Sequence, residues 1–253
     1  MQRYFLQLSY NGTNYHGWQI QPNAVSVQGE VEKALTTILR EEISVVGAGR
    51  TDTGVHASFY MLHFDSENDN LQNENLIDRV NRFLPDDIAV QQIFPVKPEA
   101  HARYSAVSRT YKYFISTVKN PFETFRSYRI TQKLDVDKMN EAAKVLFEFI
   151  DFTSFARLHS DVKSNNCKII HAEWLQKETQ LIFTIKADRF LRNMVRAIVG
   201  TLIEVGKEKL STADFKKIIE AKDRGFAGTS APAHGLFLVD IEYPEDVFNK
   251  YNV

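Results

Sequence analysis

A single cysteine, Cys167, stands in a chain of 253 residues. That excludes an internal disulfide and any cysteine-rich zinc or iron–sulfur site. Long apolar runs are missing too: none approaches the roughly 18 residues that a membrane span requires. The N-terminal MQRYFLQLSY alternates polar and apolar residues and lacks the continuous apolar stretch of a secretion signal. There is no linker, low-complexity tract or short tandem repeat, and net charge is nearly absent, at -1. The expectation is a soluble, cytoplasmic protein with no membrane partner. Core material, by contrast, is plentiful: 43% of residues are hydrophobic, with 18 Phe and 10 Tyr. A mostly disordered chain is thereby excluded, and the length allows one large domain or two of ordinary size.

The small net charge conceals an uneven distribution. Residues 1–100 hold 7 Lys/Arg against 13 Asp/Glu, whereas residues 101–253 hold 24 against 19. Within 101–133 there are seven basic residues (Arg103, Arg109, Lys112, Lys119, Arg126, Arg129, Lys133) and one acid, Glu123. Aromatic residues interleave with them, Tyr104, Tyr111, Tyr113 and Phe122 among others. Cations can hold phosphates while rings stack on bases, so this mixture suits an RNA surface. A strand with basic side chains snorkelling over a core would have the same composition.

Hydrophobic periodicity predicts a β-α-β-β-α-β order in the first half. Tyr4, Leu6, Leu8 and Tyr10 mark a strand, and Ser26 caps a helix running to about Arg40. A short apolar run at Ile43–Val46 precedes the glycine-rich loop, a strand over 57–64 follows it, and a helix stops before Pro85. Ile88–Phe94 is the closing strand. The second half repeats the order: a strand over 109–118, a helix over 136–149, strands over 168–176 and 180–187, and a long helix from about Phe190 to Val205. An extra helix over 212–222 precedes the last strand, 236–243. The predicted fold class is α+β: two split-βαβ, ferredoxin-like units, residues 1–100 and 101–253, joined through a mostly antiparallel sheet. Helices would cover one face and leave a central RNA-binding cleft on the other. The polar segments 65–75 and 156–167 read as exposed loops.

The most unusual local sequence is Gly47-Ala48-Gly49-Arg50-Thr51-Asp52-Thr53-Gly54-Val55-His56-Ala57. It is not a dinucleotide fingerprint, because Asp52 occupies the third glycine position, and it is not a P-loop, because it has no lysine. What remains is a carboxylate on a tight turn with an arginine two residues before it; a turn or capping role and a catalytic role both fit. His56, His63 and His101 are scattered without a carboxylate cluster, so no metal site is expected. Arg189, Arg192 and Arg196 are three and four residues apart and would share a face of the long helix. That face could be solvated, or Arg196, next to the apolar Ala197-Ile198-Val199-Gly200, could be partly buried and seek a carboxylate such as Asp52.

The segment Gly49-Arg50-Thr51-Asp52-Thr53-Gly54-Val55-His56-Ala57, with the helix opening Phe190-Leu191-Arg192-Asn193-Met194-Val195-Arg196, strongly resembles the tRNA pseudouridine synthase A family. Supporting matches run in order along nearly the whole chain. They include Tyr10-Asn11-Gly12, Gly17-Trp18-Gln19, His101-Ala102-Arg103-Tyr104-Ser105-Ala106, Arg109-Thr110-Tyr111-Lys112-Tyr113 and Ala231-Pro232 with Gly235-Leu236. Thr53 stands where the family usually has alanine, and Ala197 where it often has asparagine. The resemblance implies that Asp52 is the catalytic aspartate, that Arg50 supports its loop and that Arg196 pairs with it. It implies that Tyr111 stacks on the target uracil and that Leu236 lines the pocket, with Arg109 beside Tyr111 on the basic strand. The implied substrate is the tRNA anticodon arm at uridines 38, 39 and 40, and the implied assembly is a homodimer.

Isomerising uridine to pseudouridine breaks the N1–C1′ bond, turns the base and rejoins it through C5. No redox change or net hydrolysis occurs, so no cofactor is expected. One carboxylate suffices, either as a nucleophile at C1′ or as a base at the 2′ proton. Tyr111 could be a stacking platform or a proton acceptor at C5. Two rivals predict different things. A non-catalytic RNA-binding module would have no use for an acid in the glycine-rich loop, because a carboxylate near phosphates weakens binding. A metal-dependent phosphoesterase using Asp52 and His56 would lose its activity to a chelator.

Overall fold

The computed structural model describes residues 1–157 and 164–248. It is a mixed α+β protein whose strands pair mostly antiparallel. Two compact units emerge, Met1–Val107 together with Leu238 onward, and Ser108–Phe237.

The first unit follows the predicted order: β1 (Gln2–Tyr10), α1 (Val27–Leu39), β2 (Val46–Gly47), β3 (His56–Ser66), α2 (Glu74–Phe83) and β4 (Ile88–Pro95). β1 lies between β4 and β3, antiparallel to both. Local chemistry sets the helix ends. The Ser26 side chain accepts from Gly29 N at 3.2 Å to start α1, and Arg40 stops it in a left-handed conformation, with φ 58. Asn73 Oδ1 accepts from Leu76 N at 2.7 Å to start α2. Leu84, held extended by Pro85, ends it. Tyr4, Leu6, Leu8 and Tyr10 are buried with Tyr60, Leu62 and Phe64, their partners or near partners on β3. Phe5 and His63 are opposite each other on the other sheet face, where Phe94, Tyr243 and His101 cover them.

The second unit comprises β5 (Ser108–Ser116), β6 (Tyr128–Arg129), α3 (Val136–Val145), β7 (Ile169–Lys177), β8 (Gln180–Ala187), α4 (Met194–Gly206) and α5 (Thr212–Glu220). The last strand, β9 (Leu236–Glu242), starts here and ends in the first unit. β8 lies between β5 and β7, antiparallel to both, and β6 runs parallel to β5. Period-two alternation is clear on β8, where Leu181, Phe183, Ile185 and Ala187 are buried. In register with them are Tyr111, Tyr113 and Ile115 of β5 and Ala172 and Trp174 of β7. α4 is apolar almost all round and is buried along most of its length.

One helix differs from expectation. α4 begins at Met194, not near Phe190, and Asn193 before it is left-handed, with φ 66. Asp188 explains the delay: its carboxylate accepts from both Lys168 N, at 2.8 Å, and Arg189 N, at 2.7 Å. The chain is held in a turn until Leu191 is buried. Arg189 and Arg192 therefore precede the helix, and the predicted three-arginine face does not form; Arg196 alone of the three is helical. Of the predicted 156–167 loop, residues 158–163 lie outside the described residues.

Candidate active site

The loop from Gly47 to Val55 leaves β2 and enters β3 within the first unit. Its start is an extension of the sheet, with Gly47 opposite Leu62 and Ala48 N bonded to Met61 O at 2.8 Å. A Cβ on Gly47 would come within 2.2 Å of the Tyr60 hydroxyl and 2.5 Å of the Trp18 indole nitrogen, so only glycine fits. Those two rings stack with centroids 4.2 Å apart, and Tyr10 packs against both. The Tyr60 hydroxyl donates to Gly49 O, and the Tyr10 hydroxyl is 2.9 Å from Thr51 Oγ1.

The segment after β1 forms the second wall. Trp18 N donates to Thr51 O at 3.3 Å, and Gly54 N donates to Tyr15 O at 3.4 Å. Gly17 takes φ +90, and a Cβ there would lie 2.3 Å from Thr51 O. Val55 N closes a turn onto Asp52 O at 3.1 Å. His56 is buried, and its Nδ1 accepts from Gly12 N at 3.0 Å, which ties the loop exit to the end of β1. Thr51 is thus buried and pinned on both sides, while its neighbours are more accessible: Asp52 is half-buried and Arg50 is exposed. The arrangement is a rigid turn presenting one carboxylate at a fixed position.

The other predicted residues belong to the second unit. Arg109, Tyr111 and Tyr113 form one row on β5, and each reaches a different part of the chain. Arg109 Nη1 donates to Asp188 O at 3.1 Å. Tyr111 meets Phe190 edge to face at 5.2 Å. The Tyr113 hydroxyl donates to Pro232 O at 2.9 Å. Lys112, one residue from Tyr111, lies in register with Thr184 and Glu173 on the opposite face. The basic strand is therefore two surfaces, not one.

Arg196 sits near the start of α4, half-buried, with Nε donating to Ala231 O at 2.8 Å; Ala231 N returns a bond to Arg196 O at 2.9 Å. The same turn is clamped by Asn193 and Arg224, whose side chains both donate to Ser230 Oγ, at 2.7 and 2.9 Å. It continues through His234 to Leu236, which is buried. Burial pushes the Tyr113 phenol far above its usual range, with the Arg196 charge pulling the other way. Burial also lowers the His234 pKa, and Arg196 lowers it further. Arg196, Tyr113, His234 and Leu236 thus gather around the 231–236 turn, while Tyr111 and Arg109 stand with the 188–190 turn. Sequence reasoning gave no role to Tyr10, Trp18, Tyr60, Tyr113 or His234. Alternation on β1, β3 and β5 marks Tyr10, Tyr60 and Tyr113 as ordinary core, and nothing local separates a supporting ring from a filling one.

A sequence profile of the family described as tRNA pseudouridine synthase matches residues 8–105 and 142–244. Asp52 and Arg50 fall in the first stretch, Arg196 and Leu236 in the second, and Arg109 and Tyr111 between the two. A Bacteroides thetaiotaomicron protein named tRNA pseudouridine synthase A is 59% identical over 253 residues, covering 99% of this chain and 94% of that protein. One of the same name from Bacteroides fragilis is 59% identical, covering 98% and 99%. Another, from Exiguobacterium sibiricum, is 36% identical, covering 97% and 98%.

Proposed function

The chain belongs to the tRNA pseudouridine synthase family, and from that premise we propose that it isomerises uridine to pseudouridine in tRNA. The observation that carries the reading is Asp52 on a turn pinned by Tyr10, Trp18, Tyr60 and Gly17. Fixing a single carboxylate so firmly serves chemistry, where position governs rate; RNA binding gains nothing from an acid at that point.

Asp52 acts as the catalytic carboxylate, adding to C1′ as N1 leaves or removing the 2′ proton. The freed uracil turns until C5 faces C1′, the new bond forms, and the C5 proton is lost as N1 gains one. Atoms balance without an external oxidant, water or activated group. Arg50, exposed on the same turn, meets a phosphate and steadies the loop. Arg196 supplies the opposite charge for the reaction, its guanidinium held through the bond from Nε to Ala231 O. Tyr111, braced edge-on by Phe190, offers its ring to the flipped base; Leu236 is an apolar wall; Arg109 contacts phosphate. The site acts on the anticodon arm at uridines 38, 39 and 40, in a cytoplasmic homodimer.

The test is incubation with an unmodified tRNA transcript in the presence of a chelator, followed by carbodiimide mapping of pseudouridine. Pseudouridine at 38–40 supports the whole reading. Pseudouridine elsewhere overturns the positions alone, and none at any position overturns the activity.

A further inference from the structure

Between β5 and β6, residues 117–127 form a loop that holds its own shape. Glu123 N donates to Asn120 O at 3.2 Å and Arg126 N to Glu123 O at 3.0 Å, making two successive turns. Asn120 Oδ1 accepts from Phe122 N at 3.0 Å, and Ser127 Oγ donates to Glu123 O at 3.1 Å. At the base, Ile130 N donates to Ser116 O at 2.9 Å. This bonded frame displays two rings outward. Phe122 is 85% exposed and Phe125 63% exposed, and Val118 is also exposed. Lys119, Arg126 and Arg129 stand exposed around them, with Glu123 the one acid of the stretch.

Large exposed phenylalanines on a rigid loop are unfavourable in water unless they meet a partner. The company they keep identifies its chemistry. Cations surrounding bare rings match phosphates surrounding bases: the rings can stack on bases while Lys119, Arg126 and Arg129 meet the backbone charge. The loop is also continuous with the 231–236 turn. Tyr128, on β6, meets His234 edge to face at 6.5 Å, and His234 hydrogen-bonds the Ser127 backbone. His234 in turn lies two residues before Leu236, the proposed pocket wall.

We propose that the 117–129 loop is a second tRNA-binding element, Phe122 and Phe125 stacking on unpaired bases while Lys119, Arg126 and Arg129 hold the adjoining phosphates. This rests on the tRNA-modifying reading above and adds to it a site outside the reacting nucleotide. The loop grips substrate and takes no part in the isomerisation, so its loss lowers affinity and leaves the chemical step alone.

The experiment compares the wild-type protein with the Phe122→Ala/Phe125→Ala double variant. It measures tRNA affinity across a salt series, the single-turnover rate at saturating tRNA, the melting temperature and the mass by light scattering. Affinity should fall about tenfold or more with an unchanged salt slope, as expected for lost stacking. Saturated rate, melting temperature and mass should stay at wild-type values. Arg126→Ala and Arg129→Ala should each flatten the log–log salt slope by roughly 0.7–0.9. Unchanged affinity in the double variant overturns the proposal. So does a weakened affinity that appears only with a smaller mass, which would make the patch a contact between copies of the chain. Phe122→Trp supplies a readout should the double variant fold poorly. Trp18 and Trp174 are both buried, so an exposed indole at 122 should be quenched on adding tRNA, and absence of quenching overturns the proposal. If the wild-type protein modifies no tRNA, the activity reading fails, whatever the variants do; wild-type turnover with unaffected variants removes the loop alone.

Discussion

The two units share an element order and treat it differently. In the first, both sheet faces are closed: Leu6, Leu62 and Phe64 are buried on one, while Phe94, Tyr243 and His101 cover Phe5 and His63 on the other. Its one unusual turn is braced by three aromatic rings and carries the carboxylate. In the second, one face is packed with Phe183, Ile185 and Trp174, while the other presents Lys112, Phe114, Ile182 and an exposed Leu175. Charge follows the same division: the first unit holds 9 Lys/Arg against 17 Asp/Glu, and the second 22 against 15. Rigidity is invested where position matters, and open basic surface where contact matters. On this reading the first unit supplies the reacting carboxylate, and the second, beyond Arg196, holds the RNA.

The sharpest way to break this comparison is to remove the carboxylate. Asp52→Asn keeps the shape of the turn, and turnover should fall by on the order of 10⁴ or more in a single-turnover assay. Next comes Arg196→Ala, which should lower the rate about 10²–10³-fold, as when a group stabilising charge at a reacting centre is lost. Arg196→Lys should recover little, because a point charge cannot bond Ala231 O and aim a planar fork together. A wild-type rate for Arg196→Ala would assign that arginine to the turn alone.

The brace itself can be tested through Gly17. Its positive φ and the 2.3 Å approach of a virtual Cβ to Thr51 O mean that Gly17→Ala must displace the turn. Stability should drop by about 2–3 kcal/mol in urea unfolding, with turnover falling more than tRNA affinity. Equal losses in both would show that the turn also carries binding.

A smaller effect concerns the covered face of the first unit. Burial, with His101 and Arg3 nearby, pushes the His63 pKa down to about 4, and that of His101 is lowered by burial too. Between pH 6.5 and 4 the unfolded chain takes up a proton at His63 that the folded chain refuses, so stability falls as pH falls through that window. His63→Gln keeps an acceptor for Ala102 N and should flatten the melting-temperature profile there. An unchanged profile would place the acid sensitivity elsewhere.

Much of this architecture is legible in the sequence because its signals are local. Ser26 and Asn73 sit where the helices start, Pro85 follows where one ends, and alternation along β1, β5 and β8 marks the pleat. The start of α4 is not, because Arg189-Phe190-Leu191-Arg192 has helical spacing while the Asp188 carboxylate ties the Arg189 amide to Lys168 N and Asn193 turns left-handed before Met194. Nor does composition separate Tyr111 from Lys112. Alternation puts them on opposite faces, but which face is covered depends on pairing with β8. At the candidate site the carboxylate is conspicuous among glycines, whereas its supports, Tyr10, Trp18 and Tyr60, resemble any other core residues until the turn is folded against them.

The smallest predicted effect separates the two surfaces of β5. Arg109→Ala should flatten the salt dependence of tRNA binding by roughly 0.7–0.9 in log–log slope, as its phosphate contact requires, and the same flattening in Lys112→Ala would bring the opposite face of β5 onto the RNA as well. The division of labour between the units is tested most directly by measuring the equilibrium tRNA affinity of Asp52→Asn beside its single-turnover rate. The account predicts wild-type or tighter affinity with pseudouridine formation lost. Appreciable pseudouridine formed by this variant, or affinity lost in step with turnover, would contradict it.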